Sequence, residues 1–256
     1  MKQIWVLRIL FAAVVLALWE YGSGRVIPIM YLSTPSAIAA RFYDLARDGT
    51  LFWHMGFTAL EAGGGFLLGS VTGITAGLLL GRSKLWAEIL DPFLMGFYSL
   101  PKVALAPLFV MWFGIGVSMK IIFAATIVFL LVFLNTYSGV RNVSRELITV
   151  FRLMGASERQ IVTMIVIPSA FTWVFAGLRL SVPYALVGAI VGELIAANRG
   201  LGYLVERATT QFDTAGALAA IFAIILMALA VNGLVKFAER YFMPWRSVAE
   251  ARELAV

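Results

Sequence analysis

Residues 145–168 read RELITVFRLMGASERQIVTMIVIP. Arg145, Glu146, Arg152, Glu158 and Arg159 punctuate the stretch, while Leu147, Ile148, Val150, Phe151 and Met154 recur at helical spacing. That pattern describes a short amphipathic helix, followed by Gly155 and, further on, by Pro168. Its setting is what raises a question. Of the 256 residues, 61% are hydrophobic and only 13% charged, with a mean hydropathy of +0.92. A soluble domain is roughly half apolar and about a quarter charged. Such a chain belongs in a bilayer, and the amphipathic stretch lies between two of its apolar runs.

Working outward, those runs fall at about 4–21, 57–80, 88–113, 119–140, 169–195 and 214–237. Each approaches the ~20 residues a helix needs to cross a bilayer. Backbone groups in lipid must be satisfied within the segment, so the runs are helices. The expectation is an all-α membrane protein with six transmembrane helices in one domain over 1–256, with a loop at about 141–168. The first run is read as a retained anchor: LALWEYGSG offers no small-x-small cleavage site, and five apolar segments follow. With the N-terminus inside, twelve Lys and Arg fall on the cytoplasmic side and six outside. The net charge of +6 is therefore explained by membrane orientation rather than by nucleic acid. Both termini and the 145–168 stretch are expected to be cytoplasmic. The long first outer loop holds a helix-like segment over 36–47, with Ser36 as a candidate cap after Pro35.

Gly65, Gly69, Gly73, Gly77 and Gly81 recur every four residues on the second span. A stripe of small residues lets another helix backbone approach closely. The third span carries Pro92, Pro101 and Pro107. Each removes a helix donor and disfavours helix at the residue before it. Broken helices at membrane depth are tolerated only under protein or beside a watery cavity, so this span is expected inside the bundle. Pro183 repeats the device on the fifth span.

Several chemistries are excluded. The chain has no cysteine and one histidine, His54, expected in a solvated loop or at the interface. No disulfide, thiolate nucleophile or cysteine metal site is possible, no Ser/His/Asp set is plausible, and no metal is expected. No G-x-x-x-x-G-K-[ST] motif is present, so the chain has no P-loop of its own. Glu193, in GAIVGELIAANRGLG, is an acidic residue late in a span. It is either functional, as intramembrane carboxylates are by default, or paired or hydrated near the outer end.

The opening stretch now finds its context. Gly155 is followed ten residues later by Ile165, Val166, Ile167 and Pro168. This resembles the EAA loop of binding-protein-dependent ABC importer permeases, whose pattern is EAA, three residues, Gly, nine residues, I-x-L-P. Thr149, Val150 and Phe151 stand at the EAA triplet and Ile167 replaces Leu. The segments LSTPSAI, RDGTLFWH, LPKVALAPLFVMWFGIG, NTYSGV, LMGAS, GLRLSV and GELIAANRGLGYLV follow in order. Together they resemble the permease subunit of nitrate/sulfonate/taurine-type ABC importers over about residues 30–245.

The resemblance implies the type I ABC importer permease architecture and a non-catalytic subunit of an inner-membrane, multi-pass importer. It implies ATPase coupling by Arg145, Glu146, Phe151, Arg152, Met154, Gly155, Ala156, Ser157 and Pro168. Partners would be two ABC ATPase subunits, which bind the ATP and magnesium, a second permease copy, and an extracytoplasmic solute-binding protein. No cofactor is expected on this chain. An amphipathic helix suits a docking cleft because its apolar face fits a groove while its charges set the register. Tyr98, Ser99, Lys102, Asn135 and Glu193 are candidates for the translocation path. The solute would be a small anion such as a sulfonate, taurine or nitrate; related permeases also serve vitamin precursors, riboflavin and aromatic acids. The alternative is a self-sufficient secondary transporter or channel, a class that usually carries several intramembrane charges for ion coupling.

Overall fold

The computed structural model describes residues 2–242. Arg246 and Arg252, counted in the charge bias, lie outside the described residues. The elements are α1 (Lys2–Gly22), α2 (Pro35–Arg47), α3 (Thr50–Gly81), α4 (Lys84–Ser99), a 3-10 turn (Lys102–Leu105), α5 (Ala106–Phe113), α6 (Val117–Arg141), α7 (Arg145–Leu153), α8 (Glu158–Ile161), a π turn (Val162–Val166), α9 (Ile167–Ala196), α10 (Leu201–Thr210) and α11 (Thr214–Phe242). Among the described residues, five helices are long and apolar enough to cross a membrane, or six if α4 and α5, bent by 83° with the 3-10 turn between them, form one broken span.

α6 is the centre of the bundle, held between α3 and α9. The glycine stripe is the reason α3 comes so close. A Cβ added at Gly65 would lie 2.5 Å from Ala124 Cβ, at Gly69 2.5 Å from Ala125 O, and at Gly77 2.7 Å from Thr136 Cβ. Gly73 faces Val132 and Gly81 faces Val140 in the same way. The partners advance in step, so α3 and α6 run parallel. The polar rung of this ladder is Glu61, bonded to Lys120 59 positions on. α9 lies antiparallel on the other side of α6 and uses glycines too. Gly139 of α6 receives Trp173, while Gly177, Gly188 and Gly192 of α9 receive Asn135, Ala124 and Lys120. Close packing of small residues is what holds helices together where lipid offers no hydrophobic drive.

Several boundaries differ from the sequence reading. α3 begins at Thr50, not near 57, because His54 and Glu61 are buried within the bundle and do not end the helix. α2 is capped by Thr34, whose Oγ1 accepts the Ala37 N–H, with Pro35 as the first helical residue, where its missing donor costs nothing. Ser36 instead donates its N–H and hydroxyl to Glu20 of α1, at 3.0 and 2.6 Å. The fifth span does not start at 169: the helix is continuous from Glu158 to Ala196. Proline would clash with the carbonyl four residues back and leave it without a partner; the π turn at 162–166 ends two residues before Pro168 and accommodates it.

Candidate functional site

The parallel and antiparallel registers give the bundle two ends. One holds the α6–α9 loop with α7. The other holds the start of α3, α2, α10 and the start of α6.

At the first end, Ser144 caps α7 by accepting the Leu147 N–H at 3.2 Å and donates its hydroxyl to Glu146 at 2.6 Å. This bond holds the Glu146 carboxyl below the usual range. The helix stops at Leu153, and Gly155 takes φ +83. The Gly155 N–H then bonds Arg152 O and the Ala156 N–H bonds Phe151 O, both at 3.0 Å. Paired in this way, the bonds form a Schellman motif, with the apolar contact that accompanies it: Phe151 and Ala156 pack, with Ile148, on the cluster of Val140, Val143, Ile161, Ile165, Val166 and Ala170. Ser157 opens the next helix through a capping box with Gln160, and Arg152 bridges the turn to Glu158 at 2.8 Å. The Arg145 side chain lies outside the described residues. Pro168 is exposed, beyond the turn.

Packing of Ile148 and Phe151 leaves the opposite side of α7 outward. Leu147 and Val150 are half exposed, and Leu153 and Met154 are 83% and 77% exposed. This is an apolar stripe on a helix flanked by charges, held rigidly by caps at both ends. Water does not favour such a stripe, so it fits an apolar partner.

The broken span brings three of the path candidates together. Tyr98 and Ser99 end α4, and Lys102 starts the 3-10 turn after Pro101. Lys102 Nζ donates to Tyr98 O at 3.1 Å and sits 5.4 Å from the Tyr98 ring centroid. Lys102 also lines a cleft of about 350 Å³ with Phe97, Leu105, Phe129 and Phe133. Asn135 is not part of this group. Its amide donates to Leu131 O of its own helix, and its Cβ packs against Gly177. Glu193 is also apart from this group and is 1% exposed.

Glu193 belongs to a buried polar cluster at the second end. Its Oε1 accepts the Thr58 hydroxyl at 2.7 Å and its Oε2 accepts the Gly202 N–H at 2.6 Å. Thr58 Oγ1 accepts the Leu201 N–H at 2.8 Å, and His54 Nδ1 accepts the Gly200 N–H at 2.9 Å. His54 is therefore not solvated; it is buried, and its ring stacks on Tyr203. The first turn of α10 is thus satisfied by side chains from α3 and α9. The Glu61–Lys120 ion pair is 2.8 Å long and almost fully buried. Glu61, Lys120, Thr58 and His54 were not singled out from the sequence as a group. The available signal was the spacing of His54, Thr58 and Glu61, which puts three polar side chains on one face of an apolar helix. Among the described residues, no group of His, Asp and Glu could hold a metal ion.

Comparison with known proteins places the chain. Residues 69–247 match the family described as binding-protein-dependent transport system inner membrane component. The chain belongs to this family. It is 33% identical to the formylaminopyrimidine transport permease protein ThiX of Halalkalibacterium halodurans, over 93% of this chain and 94% of that protein. It is 32% identical to the putative aliphatic sulfonates transport permease protein SsuC of Bacillus subtilis, over 96% and 90%. It is 33% identical to the riboflavin transport system permease protein RibX of Chloroflexus aurantiacus, over 91% and 87%. A crystal structure of an amino acid ABC transporter shares the fold with a TM-score of 0.61 at 17% identity, covering 78% of this chain and 98% of that one. The inward-facing MetNI methionine ABC transporter shares it at 0.57 and 18% identity, covering 73% and 91%. The permease is thus a multi-pass membrane subunit of a binding-protein-dependent ABC importer, with the type I importer fold, and a transport component rather than an enzyme.

Proposed function

We propose that this permease forms half of the path of an ATP-driven importer in the inner membrane, and that α7 is its coupling element. The observation that carries the reading is the outward apolar stripe of Leu147, Val150, Leu153 and Met154, set on a helix whose exit is fixed by the left-handed Gly155. Arg152 and Glu158 flank it and give register to a docking cleft. Two ATPase subunits, carrying the ATP and magnesium, would each hold one α7. The end with α7 and both termini is cytoplasmic, in keeping with the bias of Lys and Arg. The α2 and α10 end faces the solute-binding protein.

A second copy of this chain completes the path, since one chain supplies only half the spans that enclose one. The broken α4–α5 span and α9 line it. The solute is a small organic or inorganic anion such as a sulfonate, taurine or nitrate. Lys102 in its aromatic-lined cleft supports an anionic group, and the aliphatic sulfonates named for the Bacillus subtilis relative agree with it. The names of the ThiX and RibX relatives mark how widely solutes vary among similar permeases.

The test is uptake by vesicles. Vesicles holding this chain alone, offered taurine, an alkanesulfonate, nitrate, a formylaminopyrimidine and riboflavin in turn, should take up none. Addition of the ATPase, ATP and binding protein should start uptake. Uptake by the chain alone, without ATP, would make it a self-sufficient transporter.

A further inference from the structure

We propose that Glu193, Thr58 and His54 form a latch that fixes the first turn of α10, so that a load placed on α10 is passed to the α3–α6–α9 core. The proposal rests on the reading that the α10 end faces the binding protein. Its geometry stands apart from that reading. A helix presents unpaired N–H groups at its first turn, and these are usually met by a local cap. Gly200 at the N-cap position has no side chain to offer. The Gly200, Leu201 and Gly202 N–H groups go instead to His54, Thr58 and Glu193, which lie 146, 143 and 9 positions away.

The fit is specific to glycine. Gly200 has φ +110 and a Cβ there would collide with the Glu193 carboxyl, while one at Gly202 would lie 2.7 Å from Ile190 O. The loop thus lies directly on the carboxylate. A negative group at a helix N-terminus is also favoured by the helix dipole. Behind the latch, Glu61 of the same α3 face is ion-paired to Lys120 across the α3–α6 ladder. Lys120 in turn packs on Gly192, the residue before Glu193. Turning α10 therefore means moving the rung that joins α3, α6 and α9. The other side of α10 remains open: Arg207 and Gln211 border a polar cleft with Arg41, Asp48 and Asp213. One helix thus joins an outward polar face to the buried core.

Thr58→Val removes the hydroxyl and keeps the shape; Thr58→Ser restores it. Amide exchange is measured on the whole permease in lipid nanodiscs, and the ratio of binding-protein-stimulated to basal ATP hydrolysis on the complex purified through a tag on this chain. For Thr58→Val, which loses the bonds to the Leu201 N–H and to Glu193, and for Glu193→Gln we expect amide exchange at 200–203 to rise by at least about tenfold, the factor for one lost buried hydrogen bond, with α6 still protected. The stimulation ratio should fall towards one, and Thr58→Ser should return both to normal. Unchanged exchange at 200–203 in Thr58→Val overturns the latch. Raised exchange with normal stimulation overturns the transmission. Raised exchange spread over α6 as well makes the cluster a general support of the fold, which also overturns the proposal. Should Glu193→Gln not assemble, the Thr58 pair decides. Should no ATPase accompany the wild-type chain, the importer reading fails while the exchange result still judges the latch.

Discussion

Adding one methyl group at Gly69 and one at Gly63 should have opposite effects, although both glycines lie on α3. At Gly69 the new Cβ would sit 2.5 Å from Ala125 O, 2.7 Å from Val128 Cβ and 2.9 Å from Phe129 N. Carbon–oxygen contacts settle near about 3.3–3.6 Å and carbon–carbon contacts near about 3.5–4.0 Å. Two of the three obstacles are backbone atoms and cannot rotate away. α3 and α6 must therefore part locally by roughly 1 Å, and a gap of that size forfeits a quarter to a half of each contact it opens. Overpacking costs about 1–3 kcal/mol, and the rigid obstacles place this site at about 3 kcal/mol. Replacing glycine by alanine in a helix returns about 0.5–1 kcal/mol. Net destabilisation is about 2 kcal/mol, or roughly thirtyfold in the folded equilibrium. At Gly63 nothing lies within 4 Å, so only the favourable term of about 0.5–1 kcal/mol remains. At about 2–4 °C per kcal/mol for a chain of this size, Gly69→Ala should lower Tm by about 4–8 °C. Gly63→Ala should leave Tm unchanged or raise it slightly. Thermal unfolding of the two purified variants in one detergent decides the matter. Equal Tm values, or a lower value for Gly63→Ala, would refute the ladder packing.

Other outcomes follow from the same geometry. Gly155→Asp should leave the spans inserted, because there is room at Gly155 and the left-handed backbone costs a non-glycine residue only about 1–2 kcal/mol. The charge it places at the docking exit should separate the permease from its ATPase on purification, at about tenfold in affinity for each 1.4 kcal/mol lost; full co-purification with transport intact would count against the coupling role. The chain has no cysteine, so single cysteines at Tyr98, Leu105 and Val187 can be labelled cleanly. At least one should react with a small polar reagent in some nucleotide state, and protection of all three in every state would move the path elsewhere.

The parts legible in the sequence were those carried by local patterns. Apolar runs mark spans because a bilayer tests each segment separately, and the four-residue glycine period marks a close approach whichever helix makes it. Pro101 and Pro107 announce a break because they act on their own backbone. The loop motif is legible for the same reason: Gly155 and Pro168 serve turns within a few residues. What stayed hidden depends on partners far along the chain. Nothing near His54 says that its Nδ1 meets the N–H of Gly200, and a lone histidine soon after the charged Arg47 and Asp48 reads as solvated. Glu193 reads as a path candidate until α10 folds over it and closes it from view. The charges of Glu158 and Arg159 suggest a loop, yet the capping box starts a helix there. The second glycine set, on α9, has no regular period, so only the fold reveals that α6 is gripped from both sides.

The central claim is that α7 is where a separate ATPase takes hold. A photo-crosslinking amino acid placed at Met154, which is 77% exposed, tests it in native membranes, with the same group at Leu67 of α3, 65% exposed, as the comparison. Irradiation should join Met154 to one other polypeptide carrying a P-loop, found by mass spectrometry, and the yield should collapse in Gly155→Asp. Adducts to lipid alone at Met154, or the same protein adducts from Leu67, would contradict the account.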